Sequence, residues 1–248
     1  MMTTLSIVMD LKTKQVDYTN AFAQAELCPD EHIFVELPRD FETKMQGDYV
    51  LTLLKSLYGL NDAPLRWFEK LFCQLKKHGF CQSLVDPCLF LHPKMVCICW
   101  VDDCLFYARD SKDIDDMLTD LRSEFTLEEE AEVNQFLGIE YSKSPEGDLE
   151  LVQTGLIDKV INYCGMLGCN SKATPANQVP LGTCANGPKR VDGWNYASAV
   201  GMLLYLAQNT CPDIAFAVHQ CARFTHCPCK AHEDAIKRIC RYLQGTRT

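Results

Sequence analysis

The sequence predicts an α+β fold, with strands and helices mixed to about residue 153 and helices alone thereafter. Three observations carry that expectation. Two apolar runs, Met95-Val96-Cys97-Ile98-Cys99-Trp100 and Cys104-Leu105-Phe106-Tyr107-Ala108, flank Val101-Asp102-Asp103 and read as the arms of a hairpin. The strand-like segments are not regularly separated by helices, which favours α+β over a doubly wound parallel sheet. Helical patterns then fill 195–208, 212–225 and 230–243 without an intervening strand.

Taken in order, residues 3–13 read as a helix leading into the strand Gln15-Val16-Asp17, and a second helix-like start follows at Thr19–Ala25. Ile33–Leu37 alternates like a strand and stops at Pro38, and Val50–Leu53 is a further strand. Tyr58-Gly59-Leu60 turns into a helix that opens at Ala63-Pro64, where proline suits the first turn. Trp67, Phe68, Leu71 and Leu75 recur at helical spacing, and the helix runs to about Lys77 before Gly79. After the hairpin, Ile114, Met117, Leu118, Leu121 and Phe125 form one apolar helix face. Glu128-Glu129-Glu130 reads as a solvated charge run. Phe136–Tyr141 and Leu149–Gln153 form a second hairpin around Pro145–Asp148, and a helix follows at 155–165. Ser171–Asp192 is rich in Pro, Gly, Asn and Thr and reads as a linker. No internal repeat is present.

The chain has 248 residues, is 47% hydrophobic and 23% charged, and should bury a real core. Its net charge of −9 weighs against a strong polyanion binder, although a local basic patch can oppose it. Lys230, Lys237, Arg238, Arg241 and Arg247 are such a concentration. Helical spacing puts Lys237 and Arg241 on one face, either a solvated helix surface or a nucleic-acid-facing stripe. No apolar run reaches 18 residues and no secretory signal is evident, so an intracellular protein without a membrane span is expected.

The 15 cysteines include no C-x-x-C, and their scatter reads as small buried hydrophobes in a reducing compartment. His226-Cys227-Pro228-Cys229-Lys230-Ala231-His232 has residue types that suit zinc. Four ligands within so short a stretch would crowd one tetrahedral ion, and a proline-containing turn between helices is the plainer reading.

Chemistry enters at Asp102 and Asp103. Paired carboxylates inside an apolar hairpin are costly unless a cation compensates them. With Asp17, at the end of another strand, they make three carboxylates able to hold two Mg²⁺ ions about 4 Å apart. A strand-end Asp is also a common turn residue or helix cap, and Asp-Asp occurs in ordinary hairpin turns.

The ordered motifs add a resemblance. Gln15-Val16-Asp17-Tyr18-Thr19-Asn20-Ala21-Phe22, Lys55-Ser56-Leu57-Tyr58-Gly59-Leu60, Ala63-Pro64 with Trp67, Asp86-Pro87-Cys88-Leu89 and Val101-Asp102-Asp103 come first. Phe136-Leu137-Gly138-Ile139, Ser198-Ala199-Val200-Gly201, Pro212-Asp213-Ile214-Ala215-Phe216 and Arg241-Tyr242-Leu243-Gln244-Gly245-Thr246 follow. In this order, and across nearly the whole chain, the sequence resembles the reverse transcriptase of copia-type long-terminal-repeat retrotransposon polyproteins.

That resemblance implies a polymerase palm (a ferredoxin-like antiparallel sheet with helices) over 1–153, a thumb-like helix at 154–170, a linker at 171–192 and a helical connection region at 193–248. It implies RNA-directed DNA polymerase activity, by two-metal in-line nucleotidyl transfer to a primer 3′-hydroxyl. Mg²⁺ would be the cofactor, with Mn²⁺ as substitute. RNA template, DNA primer and deoxynucleoside triphosphates would be the partners, with other element-encoded proteins, in the cytoplasm or a virus-like particle. Asp17, Asp102 and Asp103 would be the catalytic metal ligands, Asp102 the more direct of the hairpin pair. The backbone of Tyr18 and Thr19 would line the triphosphate. Phe22 would stack under the sugar and reject a 2′-hydroxyl.

The departures are specific. Trp100 replaces the usual Tyr, Cys211 the usual Arg before Pro-Asp-Ile, and Asn61-Asp62 the usual Lys-Gln, so that Asp62 brings an anion near the incoming phosphates. About sixteen residues precede Asp17 and the chain ends at Thr248. The expectation is therefore a chain largely without the fingers and without RNase H. The alternative is a non-catalytic transposon remnant that keeps the palm. A different palm-like two-metal enzyme, such as a nucleotide cyclase, has only the carboxylates in its favour.

Overall fold

The computed structural model of the chain describes residues 2–28, 30–37, 49–130, 133–143, 148–183, 187–191 and 193–247, with only the backbone of Glu130 and Lys143. Pro38 and the turn expected at 145–147 lie outside them. The chain folds as two compact units, Met1–Val133 and Asn134–Thr248, each built from helices and an antiparallel sheet, the α+β class expected.

The first unit opens with α1 (Met2–Val8), which is shorter than the expected helix over 3–13. Asp10 takes a positive φ of 48° and ends the helical path, and β1 (Lys12–Tyr18) begins where Thr13 and Val16 favour extended backbone. A single turn of helix, α2 (Ala21–Gln24), follows, then a separate ribbon of β2 (Phe34–Glu36) and β3 (Val50–Thr52).

Next comes α3 (Ala63–Lys77). Its buried Trp67, Leu71, Gln74 and Leu75 lie on one stripe, Lys76 and Lys77 suit the negative end of its dipole, and Gly79 leaves it at φ +87°. Beyond it run β4 (Cys81–Gln82), β5 (Leu89–Leu91), β6 (Met95–Trp100) and β7 (Asp103–Ala108). α4 (Ser111–Leu121) is capped by the Asp110 carboxylate, which accepts from the Lys112 amide.

The unit closes with β8 (Leu127–Glu130), where a solvated charge run was expected. Alternation explains the difference. Leu127 is buried, and Glu129 lies opposite Val16 on the helix-covered side. There Glu129 pairs with Lys14 at 3.2 Å and with Arg122, while Lys14 also pairs with Asp115. The run is acidic but not bare.

The six-stranded sheet has the order β4-β5-β6-β7-β1-β8, all pairs antiparallel. Val16 and Tyr18 of β1, Cys97 and Cys99 of β6, and Cys104 and Phe106 of β7 face the core that α3 and α4 complete. Strand alternation therefore sends Asp17 and Asp103 to the opposite face.

The second unit has a three-stranded sheet of β9 (Gln135–Phe136), β10 (Ile139–Lys143) and β11 (Leu149–Val152), with β10 in the centre. Helices α5 (Thr154–Tyr163) and α6 (Tyr196–Asn209) follow. The single helix expected at 212–225 is a 3₁₀ turn, Pro212–Ile214, continued by the shorter α7 (Ala215–Ala222); α8 (Lys230–Gly245) comes last. The core joins Ile157 and Ile161 of α5 to Leu203 and Leu206 of α6 and to Ile236 and Ile239 of α8. Ala176 and Leu181, within the expected linker 171–192, pack on this core.

The tempting His226–His232 stretch is spent on local structure. His232 stacks on Phe224 with ring centroids 4.0 Å apart, accepts at Nδ1 from the Cys229 amide and donates from Nε2 to the Gly182 carbonyl. Cys227 is exposed and Cys229 is disulfide-bonded. The four residues do not gather as ligands.

Four of the five residues of the expected basic stripe are engaged, while Arg241 is exposed. Arg238 donates to Thr174, Arg247 pairs with Asp158, and Lys230 and Lys237 approach the fully buried Glu233 at 2.5 and 3.3 Å. Arg190 lies 3.5 Å from the same carboxylate, and the Val191 amide donates to it. A buried carboxylate with this many partners is costly to leave half-satisfied. Removing its charge in Glu233→Gln strands the cations, which can turn partly to water. We expect a loss of about 2–3 kcal/mol in urea unfolding of the chain; an unchanged midpoint would show that the cluster contributes nothing.

Candidate active site

The hairpin of β6 and β7 closes on the pair Trp100 and Asp103, leaving Val101 and Asp102 as its two turn residues. Tight two-residue hairpins need a positive φ at the first turn position. Val101 supplies it at φ 57°, a conformation that a β-branched residue resists. Two anchors hold it there. The Trp67 indole N–H of α3 donates to the Val101 carbonyl at 2.5 Å, and the Tyr18 amide of β1 donates to the Asp102 carbonyl at 3.0 Å. The turn that presents Asp102 is thus strained and tied down from both sides, a pattern common at functional sites.

β1 delivers Asp17 to the same sheet edge. Asp17 lies directly opposite Asp103 on β7 and opposite Glu128 on β8. Directly opposed residues share a face, so these three project together, next to Asp102. Glu128 is a fourth acidic residue that sequence reasoning missed. Its signal was the alternation within Leu127–Glu129, hidden by the expectation of a solvated run.

The electrostatics follow. Partial burial, then Asp102, then Glu128 push the Asp17 carboxyl above the usual carboxylate range. The aspartate oxygens do not all lie within 4.8 Å of one another, so the set is open as placed. Side-chain rotation about fixed strands can close it. An oxygen-only donor set under mutual repulsion is what a hard divalent cation such as Mg²⁺ satisfies.

The remaining expected residues have other partners. Tyr18 is buried, edge-on to Trp67 and Phe125 at 5.1 and 5.3 Å. Its amide is used by Asp102 and that of Thr19 by the Thr126 carbonyl, so the backbone donors expected to line a triphosphate are already bonded. The Gln24 side chain reinforces this by bridging the backbone of Thr19 and Thr126. Phe22 is half-buried and packs on Tyr58, ring centroids 4.6 Å apart.

Asp62 precedes α3 and pairs with Arg66 at 2.5 Å, which holds its carboxyl below the usual range. Arg66 also binds Glu31 at 2.6 Å. Asp62 is therefore a compensated anion, not the bare one expected from sequence.

Comparison with known proteins gives consistent matches. A family model described as reverse transcriptase (RNA-dependent DNA polymerase) matches residues 1–178. The chain is 35% identical to a retrovirus-related Pol polyprotein from transposon RE1 of Arabidopsis thaliana, over 94% of this chain and 16% of that polyprotein. It is 32% identical to the corresponding polyprotein from transposon TNT 1-94 of Nicotiana tabacum, over 98% of this chain and 19% of that one. A transposon Ty5-1 protein of Saccharomyces cerevisiae is 31% identical over 94% of this chain and 76% of its own length. The chain thus spans less than a fifth of the two plant polyproteins.

The anchored turn and the repelling carboxylates make separate predictions. Trp67→Phe keeps an aromatic ring but removes the indole N–H and part of its buried volume, and should cost at least about 2 kcal/mol in urea unfolding. Val101→Asn, better suited to positive φ, should gain up to about 1 kcal/mol. Neutral results at both positions would remove the strain argument. For Asp17, a raised folded-state pKa favours folding fully below the unfolded value of about 3.9 and loses that benefit as pH rises through the folded value. Asp17→Asn should therefore raise the melting temperature at pH 7, with the gain vanishing near about pH 3. An equal gain at both pH values would contradict the repulsion.

Proposed function

From the premise that this chain belongs to the reverse transcriptase (RNA-dependent DNA polymerase) family of copia-type retrotransposon polyproteins, we propose that its first unit is a polymerase palm. Asp17, Asp102 and Asp103 are its metal-holding carboxylates. One observation carries this reading: the β1–β7 register puts Asp17 opposite Asp103, beneath a strained turn that presents Asp102.

The fit to a metal rests on the chemistry of the donors. They are oxygens alone, gathered at one sheet edge, and Asp17 is pushed toward its neutral form by partial burial and then by its acidic neighbours. Mg²⁺, with Mn²⁺ as substitute, would supply charge neutralisation on the transferred phosphoryl group and activation of the primer 3′-hydroxyl.

The chain's own residues do the positioning. Trp67 and Tyr18 fix the backbone of Val101 and Asp102, so the carboxylate of Asp102 starts from a set place. Phosphoryl transfer draws most of its catalysis from positioning and electrostatics, and a rigid turn serves both. Phe22, backed by Tyr58, offers an apolar surface for a sugar that lacks a 2′-hydroxyl. RNA template, DNA primer and deoxynucleoside triphosphates are the substrates of this reading.

A second reading, a palm that no longer polymerises, has its own support. The amides of Tyr18 and Thr19 are bonded internally, and Arg66, a cation near the start of α3, is held by Glu31 and Asp62. These groups would have to be released to grip a triphosphate.

Primer extension on a poly(rA)–oligo(dT) template separates the two. The polymerase reading expects Mg²⁺- or Mn²⁺-dependent extension by the unmodified chain and a loss of at least about 100-fold in Asp102→Asn, on the scale of removing one transition-state stabilising group. Extension that persists in Asp102→Asn would refute the assignment of that residue. No extension by either chain would favour the second reading.

A further inference from the structure

We propose that Cys97, Cys99 and Cys104 form a binding site for a borderline-soft divalent cation of the zinc class, inside the hairpin that carries Asp102 and Asp103. The three sulfurs all lie within 4.8 Å of one another, the single such group of potential ligands among the described residues. Cys97 and Cys99, two apart on β6, share a face with sulfurs 3.4 Å apart, and Cys104 on β7 is the cross-strand partner of Cys99. A tetrahedral ion with sulfur bonds of about 2.3 Å spaces its sulfurs by about 3.8 Å, so side-chain rotation alone can form the site.

Two further observations point to a ligand. The Tyr18 hydroxyl is buried without a hydrogen-bond partner. It belongs to the same core face as the three cysteines. A lone buried hydroxyl is costly, and thiolates that hold a cation give its O–H an acceptor. Second, Cys99 borders a cavity of about 210 Å³ with Trp67, Phe68, Leu71, Trp100 and Val101, so the cluster lies beside space rather than in solid packing.

Charge selects the class of ion. All three cysteines are buried, so each unit of excess charge adds a desolvation cost. A divalent ion that displaces all three thiol protons leaves sulfurs plus metal with one excess negative charge, whereas a monovalent ion bound by the same three thiolates leaves two. Magnesium prefers oxygen and is disfavoured by sulfur. One hairpin would then sort cations by face, hard ions to the carboxylates on one side and softer ions to the thiols on the other. The proposal does not depend on the polymerase reading.

The test uses the whole chain, reduced with a phosphine and freed of metal, titrated with Co²⁺ as the probe. The expected result is one Co²⁺ per chain with thiolate-to-cobalt charge-transfer absorption, displaced by Zn²⁺ and insensitive to excess Mg²⁺. Cys97→Ala and Cys104→Ala should each weaken Co²⁺ binding at least about tenfold, while Cys227→Ala, an exposed thiol, should not. X-ray absorption on the unmodified Zn²⁺-loaded chain, which requires no variant to fold, should give three sulfur neighbours at about 2.3 Å. A shell of oxygen and nitrogen alone, no charge-transfer band, or a band kept in both variants would overturn the proposal.

Discussion

The antiparallel register between β1 and β7 is the constraint on which the rest of the first unit depends. It pairs Asp17 with Asp103 and Val16 with Cys104, and so decides which chemistry faces which side. The carboxylates go to one face, where Asp17 and Asp103 are half-buried; Val16, Tyr18 and the cysteines go to the helix-covered core. A slip of one residue would bury Asp17 and expose Val16, at a cost in both desolvation and lost apolar burial. The same register brings the Tyr18 amide to the Asp102 carbonyl, so the strand pairing and the turn position are one arrangement.

The turn stores strain and the carboxylates store repulsion. A valine at positive φ costs of order 1–3 kcal/mol, which the surroundings must offset. Here the offset is visible in the Trp67 indole and in the aromatic packing of Trp67, Tyr18 and Phe125 behind the sheet. A stability-optimised hairpin would carry Asn or Gly at the turn and no acidic cluster at its edge. Both departures sit at one edge of the sheet, the kind of place where local rules commonly give way to function.

Much of this was legible in the sequence because the informative signals are local. The apolar runs around Val101-Asp102-Asp103 are the arms of a hairpin, and the helical spacing from Trp67 to Leu75 is the buried stripe of α3. What escaped depends on partners distant in the chain or on burial and side-chain geometry that local spacing does not show. Glu128 and Glu129 look alike in sequence. One lies opposite Asp17, and the other is neutralised by Lys14 and Arg122, more than a hundred positions away in the case of Lys14. Asp62 read as a bare anion because its pairing with Arg66 depends on side-chain geometry at the start of α3. Trp67 read as core packing alone, since nothing local reveals that its N–H reaches the turn. The basic residues of α8 read as a solvated face or a stripe, not as a buried cluster, because the Glu233 that gathers Lys230 and Lys237 looks like any surface glutamate on a helix.

The central claim is that Asp17 and Asp102 act together to hold a divalent cation at this edge when a nucleotide is present. Electron paramagnetic resonance of Mn²⁺ tests it without requiring turnover. The account predicts that the free Mn²⁺ signal falls when the unmodified chain is mixed with deoxythymidine triphosphate, beyond what nucleotide or protein gives alone, and that Asp17→Asn and Asp102→Asn each abolish the excess. An unmodified chain that binds no additional Mn²⁺ with the nucleotide, or variants that bind it as well, would contradict the claim.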